Sequence, residues 1–254
     1  KSHGDLSVVS LEDIVSEKDK EMIFHLASET FVPESWQYPE KFITKNILST
    51  LSVLEYCRKH KSSLVFLSAY IYGSQISFPI SEDAEINSSN PYALSKRLSE
   101  ELCKSYSEMF DLNITIIRPF NVYGVGQNSS FLIPQIVDQI KESNFVEVQS
   151  FEPKRDYIHV DDVIEGIILS SKALSSLQIY NLGYGESFSV YQIIEMISKI
   201  IDRKIDSSEQ DLPRNKEIKN VVADISKAKD KLGWKPKIKI KEGLREILIK
   251  EKLC

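Results

Sequence analysis

The sequence predicts an α/β fold with a doubly wound, mostly parallel sheet and a smaller second lobe. Short apolar runs alternate with helix-length amphipathic stretches along the 254 residues. This alternation is typical of strand–helix–strand crossovers in a parallel sheet. The predicted strands are also apolar at consecutive positions, as expected when helices cover both faces of the sheet.

The predicted elements follow one another in a regular order. A strand is predicted over 22–28, a helix over 39–60, a strand over 64–68, a helix from Pro91 to about Phe110, and a strand over 113–119. Further on come a helix near 132–142, strands at 145–149 and 156–160, a helix opening at Asp161, a strand over 178–183, a helix over 189–202, a short helix over 225–232 and a last helix from about Lys241. The loop 123–130, rich in Gly, Ser, Asn and Gln, is the predicted seam between two lobes.

The bulk composition argues against several classes of function. The net charge of -5 is a poor match for a general nucleic-acid binder, which needs clustered Lys and Arg. The three cysteines are far apart, as in a reducing cytoplasm, and the four histidines show no metal-ligand spacing. No apolar run approaches the ~18 residues of a membrane span, and no signal peptide opens the chain. We therefore expect a cytoplasmic protein without metal, nucleic-acid or membrane partners.

The helix that opens at Pro91 carries a tyrosine and a lysine one turn apart. Tyr92 and Lys96 are about 40° apart on the helix, so they are expected to lie at the border between core and surface. One predicted stripe is apolar, namely Leu94, Leu98, Leu102, Tyr106 and Met109, and the opposite face is polar, namely Arg97, Glu100, Glu101, Lys104 and Glu108. A free phenol has a pKa of ~10, and a nearby ammonium is expected to lower it toward useful proton transfer.

Ser68 supplies a third candidate group. It ends the predicted strand 64–68, and ligands bind at the carboxyl ends of strands in such sheets. A serine followed some two dozen residues later by Tyr-x-x-x-Lys suits the oxidation or reduction of an alcohol carbon. In that arrangement Ser68 hydrogen-bonds the substrate oxygen, Tyr92 moves the proton and Lys96 tunes the tyrosine. The Tyr/Lys spacing alone also arises by chance in helical proteins. The interpretation of these residues as a catalytic set therefore depends largely on Ser68.

A series of short motifs runs in order over nearly the whole chain. These are "HGDL" (3–6), "IFHLAS" (23–28), "NILST" (46–50), "SAYIYG" (68–73), "NPYALSK" (90–96), "RPFNVYGVGQ" (118–127), "KRDYIHVDDV" (154–163), "YNLGYGESFSV" (180–190) and "ADISKAKDKLGWKP" (223–236). Together they resemble the extended short-chain dehydrogenase/reductase family, specifically its nucleotide-sugar epimerases and dehydratases. The resemblance implies a Rossmann-type domain and a nicotinamide cofactor, NAD, with NADP as the alternative.

The resemblance also implies roles for individual residues. The catalytic set is Ser68, Tyr92 and Lys96. The implied cofactor contacts are Asp5, Leu6, Leu26, Ala27, Asn46, Tyr92, Lys96 and Pro119, and the implied contacts to a nucleotide-diphosphate sugar are Ser68, Asn121, Arg155 and Arg214. The implied NAD-binding domain is 1–122 with a return segment 157–183, and the substrate lobe is 123–156 with 184–254. A homodimer through the helices 39–60 and 91–110 is expected.

Two departures from the family pattern narrow the prediction. No G-x-x-G-x-x-G loop is present, which leads us to expect that the family's first strand and glycine loop lie upstream of Lys1; the alternative is a degenerate chain with weak or no NAD binding. Dehydratases of the family carry acids after the catalytic hydroxyl residue, whereas Ala69 and Tyr70 stand here.

The function favoured by these patterns is NAD-dependent epimerisation of a nucleotide-diphosphate sugar at C4 through a 4-keto intermediate. A nucleotide-sugar 4-keto-reductase and a 4,6-dehydratase are the enzymatic alternatives. A non-catalytic NAD-sensing or scaffold protein of the same fold is the alternative of another class.

Overall fold

The computed structural model describes residues 4–15, 21–210 and 218–254, so Arg214 lies outside the described residues. The helices are α1 (Leu11–Ile14), α2 (Val32–Gln37), α3 (Pro39–His60), α4 (Pro91–Phe110), α5 (Leu132–Glu142), α6 (Val160–Lys172), α7 (Val190–Ile200), α8 (Ser226–Leu232) and α9 (Ile240–Lys250). The strands are β1 (Met22–His25), β2 (Ser63–Leu67), β3 (Ile114–Pro119), β4 (Asn121–Tyr123), β5 (Phe145–Val148), β6 (Lys154–His159), β7 (Leu177–Leu182), β8 (Ser187–Ser189) and β9 (Asp206–Glu209).

The main sheet confirms the predicted α/β class. Within the described ranges it has four strands in the order β1-β2-β3-β7, and all neighbouring pairs are parallel. The strand predicted over 22–28 is shorter, because pairing with β2 stops at His25 opposite Phe66. In this part of the chain β1 forms one edge of the sheet, and its Phe24 is 44% exposed.

Helices cover both faces of this sheet. Alternating side chains of β2 and β3 point to opposite faces, and two apolar clusters result. One cluster joins α3 and α4 to the sheet and comprises Val53, Leu54, Cys57, Leu64, Phe66, Cys103, Leu112, Ile114 and Ile116. The other joins α6 to the sheet and includes Val65, Ile117, Ile158, Val163, Ile167, Tyr180 and Leu182.

The residues at its two ends determine where helix α4 begins and ends. Pro91 occupies the first turn, where its missing N–H costs no hydrogen bond. The Asn90 side chain caps the helix by accepting a hydrogen bond from the Ala93 N–H at 2.8 Å. Asp111 then takes a left-handed conformation that ends the helix. The predicted bounds of α3 and α4 are thereby confirmed at both ends.

The buried face of α4 differs from the sequence prediction. Its buried residues are Ala93, Ser95, Lys96, Ser99, Glu100, Cys103 and Ser107. Leu98 is 38% exposed and Met109 is 63% exposed, so much of the apolar stripe points outward. The expectations that Glu100 lies on a solvated polar face and Lys96 at the surface border are wrong, because a buried polar network occupies this side of the helix.

The second lobe packs around its own core. This core joins α5, α7 and α9 to β5 and to Tyr157 of β6, and it includes Ile136, Val146, Ile194 and Leu248. Two small sheets support it, β5-β9 and β4-β6-β8. Residues of the α8 region, including Ala228 and Trp234, pack instead with the cluster around α6 and β7. The domain boundaries inferred from sequence stay a prediction.

Candidate active site

The carboxyl ends of β1, β2 and β3 meet at one edge of the sheet. Ser68 follows β2 directly, and its N–H donates to the carbonyl oxygen of Ile117 in β3 at 2.8 Å. Leu26 and Ala27 follow β1 and are exposed, whereas Pro119 ends β3 and is buried. In a doubly wound sheet this edge is where ligands bind. The structure therefore brings Ser68 and three of the predicted cofactor contacts to the same edge.

Tyr92 and Lys96 enter this edge from the first turns of α4. Tyr92 is half-buried and packs against a small cluster formed by Ala69, Ile71 and Ala93. Lys96 is buried, and its Nζ lies 4.3 Å from the centroid of the Phe66 ring, a cation–π contact. Since Phe66 precedes Ser68 by two residues in the extended chain, α4 places the lysine beside the end of β2.

The protonation equilibria of this pair differ from the prediction. Burial raises the pKa of the Tyr92 phenol above its ordinary value, rather than Lys96 lowering it. Burial also lowers the pKa of Lys96 to about 8, although the nearby Cys103 and Glu100 oppose that shift. Removal from water disfavours the charged form of both groups. In the chain by itself Tyr92 is therefore a neutral phenol at pH 7.

A buried carboxylate, which the sequence reading missed, contacts Ser68. The Ser68 Oγ donates a hydrogen bond of 2.5 Å to Oε1 of Glu100, one turn beyond Lys96 on α4. Arg118 of β3 in turn donates to both carboxylate oxygens of Glu100, with Nη2 at 2.6 Å from Oε2. Burial opposes the Arg118 charge, but the bonds to Glu100 outweigh it and raise the pKa of Arg118. No local sequence pattern marks this contact, because Glu100 and Arg118 lie 18 residues apart on different elements.

Asn46 joins the turn after β1 to α4. Its Oδ1 accepts from the Glu29 N–H at 2.8 Å, and its Nδ2 donates to Ser95 Oγ at 2.8 Å and to the Glu29 carbonyl oxygen. Ser49, which stands at a glycine position of the family pattern, is buried and donates to the Asn46 carbonyl oxygen. Asn46 thus fixes the backbone of the turn that carries Leu26 and Ala27, and its predicted cofactor contact stays a prediction.

Asp5 and Leu6 lie in the turn before α1. The Asp5 carboxylate accepts two hydrogen bonds from Ser7 and forms an ion pair with Lys45 at 3.0 Å. These bonds lower the pKa of Asp5 to about 2, with the bonds from Ser7 as the main cause. Leu6 packs against the cluster between α3, α4 and the sheet. Whether this pair contacts an adenine stays a prediction.

The predicted substrate residues Asn121 and Arg155 lie on paired strands. Asn121 begins β4, and its Nδ2 is 3.4 Å from the carbonyl oxygen of Asp156 in β6. Arg155 directs Nη1 to the carbonyl oxygen of Ile218 at 2.6 Å. The buried Asp156 accepts backbone N–H bonds from residues 184, 185 and 223 and so fixes this strand. Both predicted residues are held near the seam, and Arg214 lies outside the described ranges.

The buried His25 lies beside this site, and it makes the stability of the folded protein depend on pH. Burial, and then the Lys96 charge, lower the pKa of His25 to about 3, while the unfolded chain binds a proton near its ordinary value of 6.5. Stability should therefore fall as pH drops below that value, by about 1 kcal/mol between pH 6 and pH 5. Denaturant unfolding at both pH values should show this extra loss in the wild type relative to His25→Gln. A difference that does not change with pH would contradict it.

This arrangement is typical of enzymes that use a nicotinamide cofactor. Ser68, Tyr92 and Lys96 lie at the carboxyl edge of a parallel sheet, beside the exposed turn after β1. The residues present fit a nicotinamide cofactor there, because the edge supplies a lysine ammonium, an apolar turn and the end of β3. No helix within the described ranges is long and apolar enough to cross a bilayer.

Comparison with known proteins places the chain in a family. A family model described as GDP-mannose 4,6 dehydratase matches residues 2–247. The chain therefore belongs to the GDP-mannose 4,6 dehydratase family, which confirms the predicted group of nucleotide-sugar enzymes within the extended short-chain dehydrogenase/reductases. It is 30% identical over 238 residues to the GDP-6-deoxy-D-mannose reductase of Pseudomonas aeruginosa, covering 89% of this chain and 78% of the relative. It is 32% identical over 228 residues to the UDP-glucuronate 4-epimerase of Thermodesulfobacterium geofontis, covering 88% of this chain and 70% of that relative.

Solved structures agree with this assignment. The UDP-glucuronic acid 4-epimerase of Bacillus cereus, in complex with UDP-glucuronic acid and NAD, has a TM-score of 0.85 at 29% identity, covering 99% of this chain and 79% of that one. Similar structures hold NAD or NADPH. The predicted Rossmann-type fold and nicotinamide cofactor are confirmed at the level of the family.

Proposed function

We propose that the protein interconverts nucleotide-diphosphate sugars at C4 through a 4-keto intermediate, with NAD as the cofactor. The observation that carries this proposal is the meeting of Ser68, Tyr92 and Lys96 at the carboxyl edge of the sheet. A hydroxyl, a phenol and an ammonium are the groups needed to hold an alcohol oxygen and move its proton. Similarity to a UDP-glucuronate 4-epimerase supports the same reaction.

The two residues after Ser68 favour epimerisation over dehydration. Ala69 is buried and apolar, and Tyr70 directs its hydroxyl to the Gly73 carbonyl oxygen at 2.5 Å. Burial raises the pKa of Tyr70, so it supplies no acid in the neutral range. A 4,6-dehydratase must remove one proton and protonate a leaving hydroxyl. Neither position next to Ser68 offers a carboxyl group for those steps.

The chain offers a consistent set of contacts for the cofactor. Lys96 would hold the nicotinamide ribose, while Leu26, Ala27 and Pro119 would border the cofactor at the strand ends. When bound, NAD supplies a hydride acceptor and donor at the sugar carbon. Its positive nicotinamide ring would add to the Lys96 ammonium near Tyr92, and both charges favour the phenolate. Burial alone favours the neutral phenol of Tyr92.

Tyr92 then carries the proton of the sugar. Its phenolate takes the proton of the 4-OH as C4 is oxidised and returns it when C4 is reduced from the other face. Ser68 forms a hydrogen bond to the same oxygen and keeps it close to Tyr92. Asn121 and Arg155 are proposed to bind the diphosphate. The keto sugar is then free to rotate between the two half-reactions, so that its other face meets the cofactor.

The reaction can be tested directly on the full-length protein. Incubation with NAD and either UDP-glucose or UDP-glucuronate should give the C4 epimer without net cofactor reduction, as followed by proton NMR and absorbance at 340 nm. Loss of the C6 hydroxyl from GDP-mannose would show a dehydratase instead. Stoichiometric NAD binding without turnover of any tested sugar would show a non-catalytic NAD-binding protein.

A second candidate has support from one relative. The similarity to the GDP-6-deoxy-D-mannose reductase of P. aeruginosa favours a 4-keto-reductase. A similar solved structure from P. aeruginosa holds NADPH, which supports that cofactor for this candidate. The same Ser/Tyr/Lys set can protonate the alkoxide formed by reduction of a ketone. Net consumption of NADPH with a GDP-4-keto-6-deoxy sugar, and no epimerisation of UDP-sugars, would favour this candidate.

We also propose a homodimer in the cytoplasm, built on the outward face of α3 and α4. Leu94 and Leu98 of α4 and Leu48 of α3 are large apolar residues that are partly exposed. A cavity of about 280 Å³ lies between the helices and is lined by Ile47, Leu98, Glu101, Leu102 and Ser105. An apolar surface of this kind is a common interaction site.

A charge on this face should dissociate the dimer. Leu98→Asp is expected to shift the protein from dimeric to monomeric mass at micromolar concentration, because it places a charge inside an apolar contact. Light scattering coupled to size exclusion measures the mass. Ile249→Asp on α9, another exposed aliphatic residue, is the control and should leave the mass unchanged. A monomeric wild type would refute the homodimer.

A further inference from the structure

We propose that Ser95 is a positioning residue of the site. Together with Asn46 it links the turn after β1 to the backbone of Tyr92, and it thereby sets the distance between the Tyr92 phenol and the cofactor bound at that turn. This role rests on the proposed function, in which Tyr92 carries the proton of the sugar 4-OH.

The link begins at the backbone of the turn after β1. Oδ1 of Asn46 accepts a hydrogen bond from the Glu29 N–H at 2.8 Å, and Nδ2 donates to the Glu29 carbonyl oxygen at 3.1 Å. Asn46 is buried, so little water is available to replace either bond. A buried polar group that loses its partner bears the full cost of desolvation. The turn is therefore held in one position relative to α3.

The second hydrogen of the Asn46 amide continues the link to α4. Nδ2 donates to Oγ of Ser95 at 2.8 Å. An amide nitrogen donates and does not accept, so the serine oxygen is the acceptor and keeps its own proton. The Ser95 hydroxyl donates that proton to the carbonyl oxygen of Tyr92 at 2.8 Å. Each hydrogen in this path serves one acceptor, and the path uses neither the Tyr92 phenol nor the Ser68 hydroxyl.

The link reaches α4 at the turn that carries the catalytic side chains. Tyr92 is the second residue of the helix, and the end turns of helices fray most readily. The bond from Ser95 to the Tyr92 carbonyl ties this turn to a buried partner on α3. Lys96 is the next residue after Ser95, and its Nζ contacts the Phe66 ring. Both catalytic side chains of α4 thus leave a turn that is held against α3.

A buried serine that bonds to its own helix can also serve stability alone, and α6 supplies the matched case. Ser170 is buried and donates to the carbonyl oxygen of Ile167, three residues earlier, at 2.8 Å. Ser95 makes the same bond with the same spacing and distance. The two serines differ in that Ser95 also accepts from Asn46 and bonds to a catalytic residue. Ser170→Ala is therefore the control for Ser95→Ala.

The kinetic test asks whether Ser95 acts through Tyr92. Ser95→Ala is expected to lower kcat for UDP-glucose or UDP-glucuronate roughly 10-fold with KM within about twofold, because a small misplacement of the proton carrier slows the chemical step. In a Tyr92→Phe background the same change should cost no more than about twofold, because the phenol is already absent. Losses that multiply in the double variant would overturn the proposal.

Stability must be separated from turnover. Thermal melts should show similar destabilisation of Ser95→Ala and Ser170→Ala, since each loses one buried hydroxyl, whereas only Ser95→Ala should lose kcat. An equal loss of kcat in both variants would mean that Ser95 serves folding alone. If Ser95→Ala does not fold, Ser95→Cys takes its place, because a thiol fills nearly the same space with a weaker donor and acceptor.

A second measurement needs no turnover. Fluorotyrosine at position 92 gives a fluorine NMR resonance that moves when the phenol ionises. In the NAD complex, Ser95→Ala should raise the pH midpoint of this movement by about half a unit or more, because the phenol lies farther from the Lys96 ammonium and the nicotinamide. Ser170→Ala should keep the wild-type midpoint.

The fluorine titration has two outcomes that would contradict the proposal. One is an equal midpoint in Ser95→Ala and the wild type. The other is a wild-type midpoint that NAD does not move, because Tyr92 would then lie too far from the cofactor to be positioned against it. If the wild type turns over no sugar, the proposed function fails, and the titration still decides whether Ser95 positions Tyr92.

Discussion

Tyr92→Phe is expected to lower turnover of the nucleotide sugar by about 10³-fold, because the variant loses the group that takes and returns the proton of the 4-OH. The change removes one oxygen from a half-buried ring that packs against Ala69, Ile71 and Ala93, so the fold should remain intact. Binding of NAD and of the sugar should change little. The kinetic loss is therefore expected in kcat rather than in KM.

The matched control is Tyr191→Phe, which makes the same chemical change on the exposed surface of α7. It should leave kcat and KM unchanged. Thermal melts of both variants would show whether either change affects folding. Turnover by Tyr92→Phe at the wild-type rate would exclude Tyr92 as the proton carrier and, with it, the proposed mechanism.

The proposed chemistry depends on an opposition between burial and charge at Tyr92. Burial raises the pKa of the phenol in the chain itself, and the ammonium of Lys96 does not reverse this shift. Lys96 in turn is neutralised more easily than an exposed lysine, with a pKa of about 8. Activation of Tyr92 therefore calls for an additional positive charge, and the oxidised nicotinamide carries one. This would couple proton transfer to occupancy by the oxidised cofactor.

Much of the fold could be predicted because its signals are local. The α3 and α4 helices each begin at a proline and end at a left-handed residue, Lys61 and Asp111 respectively, so their bounds follow from end chemistry. The strands β4, β8 and β9 were not predicted as strands. The strands β4 and β8 have only three residues each, which is too few to show a period, and the four residues of β9 include no apolar side chain.

The site could be predicted only in part, for a physical reason. Ser68, Tyr92 and Lys96 have a recognisable spacing. Glu100 and Arg118 do not, because charged residues are rarely buried and their sequence pattern indicates a solvated surface. Their burial depends on pairing between residues 18 apart on different elements, which no local pattern shows. The same pairing explains why α4 turns its polar side inward and its leucines outward.

Arg118→Leu is expected to cost roughly 3–5 kcal/mol of unfolding free energy, because it leaves the Glu100 carboxylate buried without its partner. The exposed pair Arg58–Glu55 is the matched control. Its contact distance, 2.8 Å, is close to the 2.6 Å of Arg118–Glu100, but its side chains are more than a third exposed. Arg58→Leu should therefore cost far less, because water replaces the lost partner. Denaturant unfolding of both variants under one set of conditions measures the difference.

The same experiment decides whether the cost comes from the orphaned charge. Adding Glu100→Gln to Arg118→Leu removes the uncompensated carboxylate, so the double variant should be more stable than Arg118→Leu alone. Equal costs for Arg118→Leu and Arg58→Leu would mean that water reaches Glu100 freely and that the buried pair contributes no more stability than the exposed one.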